Sequence, residues 1–169
     1  MLEVKINSLL GNEIITAAEV KSYVRIDTDE DDAIISNMIT QARIWCENYI
    51  SKDIVPKNRT LYVDKTEGLI PLMFYPIASV IEVTENNVSI DYTELGIEEI
   101  TIELTKGPAK NVKVNYTTAG LNDGLIKQAL LQMVSNYYDN RADFVIGSQI
   151  NEIPTDVKSI LTPYKAMFI

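Results

Sequence analysis

The sequence of 169 residues predicts an α+β protein, mainly a helical bundle of two long and two short helices with a small antiparallel β subdomain inserted between them. Two observations predict this class. Apolar residues recur in steps of three and four near both ends of the chain, and in steps of two in its middle. We expect the helical parts at about 16–50 and 123–165, and the β subdomain at about 54–119. With 46% hydrophobic residues, the whole chain is expected to form one domain with a buried core.

The first helical part begins with a short helix. Thr16 and Glu19 have the spacing of a capping box, in which each side chain binds the backbone amide of the other residue. The helix should end near Arg25. Its inner face should carry Val20, Tyr23 and Val24.

The first long helix follows an acidic run at residues 27–32, where five of the six residues are acidic. Acidic side chains at a helix start bind free amides and oppose the positive end of the dipole. The apolar stripe of this helix consists of Ile34, Ile35, Met38, Ile39, Ala42, Trp45, Cys46, Tyr49 and Ile50.

The same acidic run also resembles the start of an EF-hand calcium loop, because Asp27, Asp29 and Asp31 occupy its first alternating positions. The rest of the loop departs from the pattern. Asp32 stands where a glycine makes the sharp turn, and Met38 stands where a bidentate glutamate is needed. A helix start is therefore favoured, with a loose cation site as the alternative and no cofactor assigned.

The β subdomain shows three alternating runs, separated by turn signals at residues 85–87 and 106–108. We expect one antiparallel sheet with one covered face. The runs place Val88, Ile90 and Tyr92 on one face of a strand, Ile100, Ile102 and Leu104 on a second, and Val112, Val114 and Tyr116 on a third.

The second helical part begins at about Asp123 or Gly124 and should end near Asn140 or Arg141. Its apolar stripe is Ile126, Ala129, Leu130, Met133, Val134 and Tyr137. Pro154 should open a last short helix, since proline suits the first helical position, and Pro163 should end it.

The composition disfavours most enzyme chemistry. There is no histidine, which removes the commonest general base and metal ligand, and the chain contains no phosphate-binding glycine loop or CxxC pair. Cys46 lies on the apolar stripe and is expected to be a buried structural thiol. The net charge of −9 disfavours tight DNA binding, and no stretch is long and apolar enough to suggest a membrane span. We predict a non-enzymatic protein without cofactors, made in a cytoplasm.

Candidate contact residues remain once catalysis is set aside. Trp45 and Tyr49 fit either core packing or a subunit interface, where both residue types are enriched. Tyr138 and Arg141 close the second long helix, so the arginine either complements the helix dipole or forms an ion pair at an interface. The apolar C-terminal segment is expected to dock either on the chain's own core or on a partner, and a partner is favoured because the segment follows Pro163 and should leave the domain; its residues are Tyr164, Lys165, Met167, Phe168 and Ile169.

Several short motifs occur in an ordered series along the chain. They are Thr16–Asp27, Asp31–Ile35, Ala42–Glu47 with the pattern A-R-x-x-x-E, Val114–Gly120 ending in Y-x-x-A-G, Ile126–Ala129, Tyr138–Arg141, Ile153–Pro154 and Leu161–Lys165. In their order and spacing they resemble the tailed-phage head–tail connector (adaptor) family. Lys165 departs from the arginine frequent there, which weakens any argument for a bidentate contact at that position.

The resemblance implies a virion structural protein that forms a ring, typically twelvefold, beneath the portal after DNA packaging. Its partners would be other copies of itself, the portal protein and a downstream connector, stopper or tail protein. DNA would pass through the channel without specific binding, and no membrane is involved. The C-terminal segment would dock on the portal. The implied location is the neck of a phage or prophage particle, assembled in the bacterial cytoplasm. The alternative is another neck or tail-completion protein, followed by a non-viral regulator or enzyme.

Overall fold

The computed structural model describes residues 1–140 and 155–166. The strands are β1 (Leu2–Leu9), β2 (Lys57–Thr66), β3 (Leu69–Pro71), β4 (Ile77–Glu85), β5 (Val88–Ser89), β6 (Tyr92–Leu95), β7 (Thr101–Leu104) and β8 (Ala109–Thr118). The helices are α1 (Ala17–Val24), α2 (Asp32–Ile50), α3 (Gly124–Asp139) and α4 (Thr155–Leu161), followed by a 3-10 turn at Thr162–Tyr164. The α+β class is confirmed. The expectation of a mainly helical protein is wrong, because strands are as common as helices in the described residues.

The chain divides into two compact units. Met1–Asn12 and Val55–Leu121 form the first, which contains all eight strands and is called the β unit below. Glu13–Ile54 and Asn122–Ile169 form the second, which contains the described helices and is called the helical unit.

The β unit contains two antiparallel sheets rather than the single sheet expected from the sequence. The larger has the order β1-β2-β8-β4-β5, and the smaller has the order β3-β7-β6. Buried side chains of both sheets join one hydrophobic cluster, which includes Leu61 and Val114 from the large sheet and Ile70 and Ile102 from the small one. The run from Val88 to Tyr92 is therefore not one strand: it is divided between β5 and β6, which lie in different sheets.

Strand β1 has no counterpart among the predicted elements. It pairs with β2 along its whole length, from Leu2 opposite Val63 to Leu9 opposite Lys57. The sequence carries the signal, because Leu2, Val4 and Ile6 alternate with Glu3 and Lys5. Both faces of the strand are largely exposed, so few of its side chains enter the core. Its short alternation therefore does not stand out as a buried strand.

The helical unit begins with the predicted capping box. The amide of Glu19 donates to Thr16 Oγ1 at 3.2 Å, and the amide of Thr16 donates to Glu19 Oε2 at 2.7 Å. Helix α1 then buries Val20, while Tyr23 is exposed, contrary to the predicted inner face. In α2 the stripe is buried at Ile35, Met38, Ile39, Ala42, Cys46 and Ile50, and Ile34 is exposed. Ile34 precedes the buried Ile35 and therefore lies a helical step of 100° away from it.

Helix α3 begins as predicted. The carboxylate of Asp123 accepts a hydrogen bond from the amide of Leu125 at 2.7 Å, and the helix ends at Asp139 with Asn140 as its C-cap. Its stripe is buried from Ile126 to Val134. Helix α4 buries Val157 and Leu161, and Pro163 lies in the 3-10 turn that follows. Arg141, Ile153, Pro154, Met167, Phe168 and Ile169 lie outside the described residues.

Candidate partner-binding surface

Two aromatic side chains at the C-terminal end of α2 form a stack. Trp45 and Tyr49 are one turn apart, with ring centroids at 5.1 Å and planes at 12°. Both side chains are half-buried, unlike their neighbours Cys46 and Ile50, which are fully buried. Each ring therefore packs on its own helix and leaves part of its surface exposed, and the subunit interface stays a prediction.

The chain after α4 returns to this stack. The amide of Ala166 donates to the carbonyl of Ile50 at 2.8 Å, which fixes the backbone beside the end of α2. Lys165 Nζ lies 4.4 Å from the centre of the Tyr49 ring, within reach of a cation–π contact. The hydroxyls of Tyr49 and Thr162 lie 3.3 Å apart. Residues 162–166 are called the C-terminal anchor below.

Tyr164 ties the C-terminal anchor to the start of α3. Its hydroxyl donates to Asp123 Oδ1 at 2.7 Å. This hydrogen bond, together with the amide of Leu125, lowers the pKa of Asp123, and the same bond raises the pKa of Tyr164. Tyr164 and Lys165 therefore contact their own helical unit, contrary to the expectation that the segment leaves the domain after Pro163.

The acidic run before α2 is held by side chains of the same unit. Lys21 Nζ lies 2.5 Å from Asp29 Oδ1 and 2.8 Å from Asp32 Oδ1. Tyr138 donates from its hydroxyl to Asp31 Oδ2 at 2.6 Å. Asp31 is the N-cap of α2 but makes no side-chain capping bond, so the expected role of the run in binding free amides is not observed there. Across residues 1–140 and 155–166, no group of three or more metal-ligating side chains is close enough to hold an ion.

A buried ion-pair network stabilises the middle of α2. The sequence alone did not predict this network. Arg43 Nη1 donates to Glu47 Oε2 at 2.7 Å, and Arg43 Nε donates to Glu13 Oε2 at 2.8 Å. The other carboxylate oxygen of Glu47 accepts from the amide of Ile54 at 2.9 Å. Arg43 and Glu47 are the R and E of the A-R-x-x-x-E motif, and the spacing of four places them on one face of the helix.

Cys46 is buried, with its sulfur 3.9 Å from that of Met133. Burial raises the pKa of the Cys46 thiol to about 12, because the thiolate would lose its hydration. The thiol is therefore protonated at neutral pH and poorly suited to act as a nucleophile. None of the helices in the described ranges is long and apolar enough to cross a membrane.

Three features take up most of the chain. They are the β unit, the long helix α2 with its A-R-x-x-x-E motif, and the C-terminal anchor. Residues 13–167 match the sequence profile of the head completion protein family. The chain belongs to the head completion protein family. The resemblance to phage head–tail connectors is thereby confirmed, and the chain is a structural protein of a phage-like particle.

Solved structures of gene transfer agent particles contain similar chains. One comes from the neck of the empty particle, computed with C6 symmetry: its TM-score is 0.76 at 15% identity, over 99% of this chain and 97% of that one. A second comes from the neck of the native particle, computed with C12 symmetry: its TM-score is 0.75 at 13% identity, over 99% and 97%. A third comes from the virion of the native particle, with a TM-score of 0.72 at 14% identity, over 98% and 96%. At these identities the likeness establishes the fold alone. No curated protein matches the chain.

Proposed function

We propose that this head completion protein forms a closed ring of twelve copies between the portal and a tail-side protein. The observation that carries the proposal is the family match combined with a shared fold, since the similar chains belong to necks computed with C12 and C6 symmetry. A ring needs a heterologous contact that closes on itself, so each copy must present two different surfaces to its neighbours.

We propose the C-terminal segment as the portal-docking element. The C-terminal anchor fixes the backbone of Ala166, the residue before this apolar end, against the end of α2. Three apolar residues in sequence suit insertion into an apolar groove of a partner. Tyr164 and Lys165 would act by holding the segment's base, through Asp123 and the Tyr49 ring.

Four further residues are proposed as contact positions. The exposed parts of the Trp45 and Tyr49 rings offer aromatic area beside the segment's base. Tyr138 binds the acidic run through Asp31, and Arg141 follows two residues after the end of α3. These positions would contribute to subunit or portal contacts.

DNA would pass through the ring without specific binding. Residues 66–105 contain eight acidic side chains and neither lysine nor arginine, so this part of the β unit repels a phosphate backbone. We propose that the chain acts through its interfaces and catalyses no reaction.

The test uses purified full-length chain and the portal protein of the same particle. Electron microscopy of the mixture should show a twelvefold ring of the chain on one face of the portal. A chain ending at Ala166 should lose portal binding, whereas the surface variant Val88→Ser should bind as the wild type does. A chain that stays monomeric and never binds portal would overturn the proposal. Retained portal binding by the chain ending at Ala166 would overturn the docking role of the segment alone.

A further inference from the structure

Strand β1 concentrates exposed apolar surface on an edge of the β unit. Leu2, Ile6, Leu9 and Leu10 have exposed fractions of 48%, 49%, 51% and 53%. The strand pairs with β2 on one side and is the terminal strand of its sheet. Long edge strands with apolar side chains and unpaired backbone groups readily pair with another strand, and natural proteins usually protect them. This edge contains no proline and only two charged residues, Glu3 and Lys5.

The backbone groups that face the free edge can be assigned. The carbonyl of Met1 accepts a hydrogen bond from the amide of Asp64, so Met1 faces β2. In an antiparallel ladder, successive residues point alternately toward and away from the partner strand. The amides and carbonyls of Leu2 and Val4 therefore face away from β2, on the free edge of the sheet.

A second free edge in the β unit has a matching pattern. Strand β6 is terminal in the small sheet. The side chains of Thr93 and Leu95 lie on one face of β6, followed by Ile97, which is 92% exposed; Tyr92 and Glu94 lie on the other face. This edge is acidic, in keeping with the surplus of acidic residues at 66–105.

The two edges are complementary when their apolar faces are aligned. The carbonyl of Asp91 accepts from the amide of Thr105, so the backbone groups of Tyr92 and Glu94 face the free edge of β6. In a parallel pairing, placing Val4 and Ile6 of β1 beside Thr93 and Leu95 puts Lys5 beside Glu94 on the other face. Apolar side chains then meet on one side of the joined sheet, and opposite charges meet on the other. Two edges with different residues, both on one chain, provide the unequal surfaces that a head-to-tail ring requires.

We infer that β1 of one copy pairs edge to edge and in parallel with β6 of the next copy, and that this strand pairing joins neighbouring subunits of the ring. The inference rests on the proposed ring. It adds the contact that closes the ring. A second copy of this chain occupies the β1 edge, and Lys5 and Glu94 form the charge pair of this contact.

The experiment compares charge variants in ring assembly on purified portal protein. Lys5→Glu and Glu94→Lys each replace an attraction by a repulsion, and each should raise the concentration at which rings form by about fivefold or more. The chain carrying both changes restores an opposite pair at every contact and should assemble at the wild-type concentration. Both positions are exposed, so the monomers should retain their fold.

A backbone variant tests the strand pairing itself. Val4→Pro removes an amide that faces the free edge while leaving the ladder to β2 intact. Val4→Ala is its control, because Val4 also packs on the core and both changes lose that contact. The proline variant should need about fivefold more protein than the alanine variant to form rings.

The outcomes separate the two proposals. If the wild type forms rings on portal and both single charge variants assemble at the same concentration, the β1–β6 contact is overturned and the ring remains. The same conclusion follows if the double variant assembles no better than either single variant. If the wild type never forms a ring on portal, the proposed function fails and the contact fails with it.

Discussion

Arg43 Nη1 and Glu47 Oε2 lie 2.7 Å apart one turn along α2, and both side chains are almost fully buried. Burial of charges is costly unless each has its partners, and here the hydrogen bonds supply them. Arg43 also binds Glu13 before α1, and Glu47 binds the amide of Ile54 after α2. The pair therefore joins the segment before α1 to the segment after α2, which gives the A-R-x-x-x-E motif a structural role.

Replacing Arg43 by methionine should destabilise the protein by about 3–5 kcal/mol, because Glu47 would be left buried without its cation. Urea unfolding followed by circular dichroism measures the loss. Lys110→Met, at an exposed position, is the control and should cost less than about 1 kcal/mol. The double change Arg43→Met and Glu47→Met should recover part of the loss. A single Arg43→Met variant as stable as the control would contradict the assigned role.

The capping box at Thr16 should make stability depend on pH. Hydrogen bonds from Thr16, its backbone amide first, lower the pKa of Glu19 below its ordinary value of 4.5. A carboxyl with a lowered native pKa stabilises the fold above its unfolded pKa, and this contribution is lost as the pH falls through the native value. The free energy of unfolding should therefore fall less steeply below pH 4.5 in Glu19→Gln than in the wild type. If the free energy of unfolding falls equally steeply with pH in the two proteins, the hydrogen bonds between Thr16 and Glu19 contribute nothing to it.

The helical elements were predictable because each has a local signal. Thr16 with Glu19 and Asp123 with Gly124 mark helix starts, and buried stripes run from Ile35 to Ile50 and from Ile126 to Val134. Pairing in the β unit was not predictable, since it joins strands distant in sequence. Val88 and Tyr92 share one alternating pattern but lie in different sheets. Strand β1 shows the opposite case: its alternation is present, but without a buried face it does not indicate a core.

The candidate contact residues illustrate a similar limit. An aromatic pair at a spacing of four predicts that Trp45 and Tyr49 share a helix face, and they do. Nothing in the sequence places Lys165 over the Tyr49 ring or Tyr164 beside Asp123, because those contacts depend on the path of the chain after α4. The apolar side chains of residues 167–169 likewise do not tell which surface would receive them.

Replacing Tyr164 by phenylalanine should loosen the C-terminal anchor without unfolding the helical unit. The change removes the hydroxyl that donates to Asp123, a charge-assisted hydrogen bond at an exposed site. Amide hydrogen exchange should accelerate at residues 162–166 and remain unchanged in α2. Tyr62→Phe is the matched control, because it removes a hydroxyl bonded to Asn111 in the β unit. Equal exchange at residues 162–166 in both variants would show that the Tyr164 hydroxyl does not hold the anchor.

The turn between β6 and β7 should tolerate only glycine at position 96. Gly96 has φ +106°, and a Cβ there would lie 2.1 Å from the carbonyl oxygen of Glu99. Gly96→Ala must distort this turn and should cost at least about 1–3 kcal/mol in the free energy of unfolding. Gly124→Ala is the control: a Cβ there meets no atom within 4 Å, and alanine favours the helix that begins at this residue. That variant should be as stable as the wild type or up to about 1 kcal/mol more stable. Thermal unfolding of the two variants measures the difference. A Gly96→Ala protein with the same melting temperature as Gly124→Ala would contradict the close approach at Glu99.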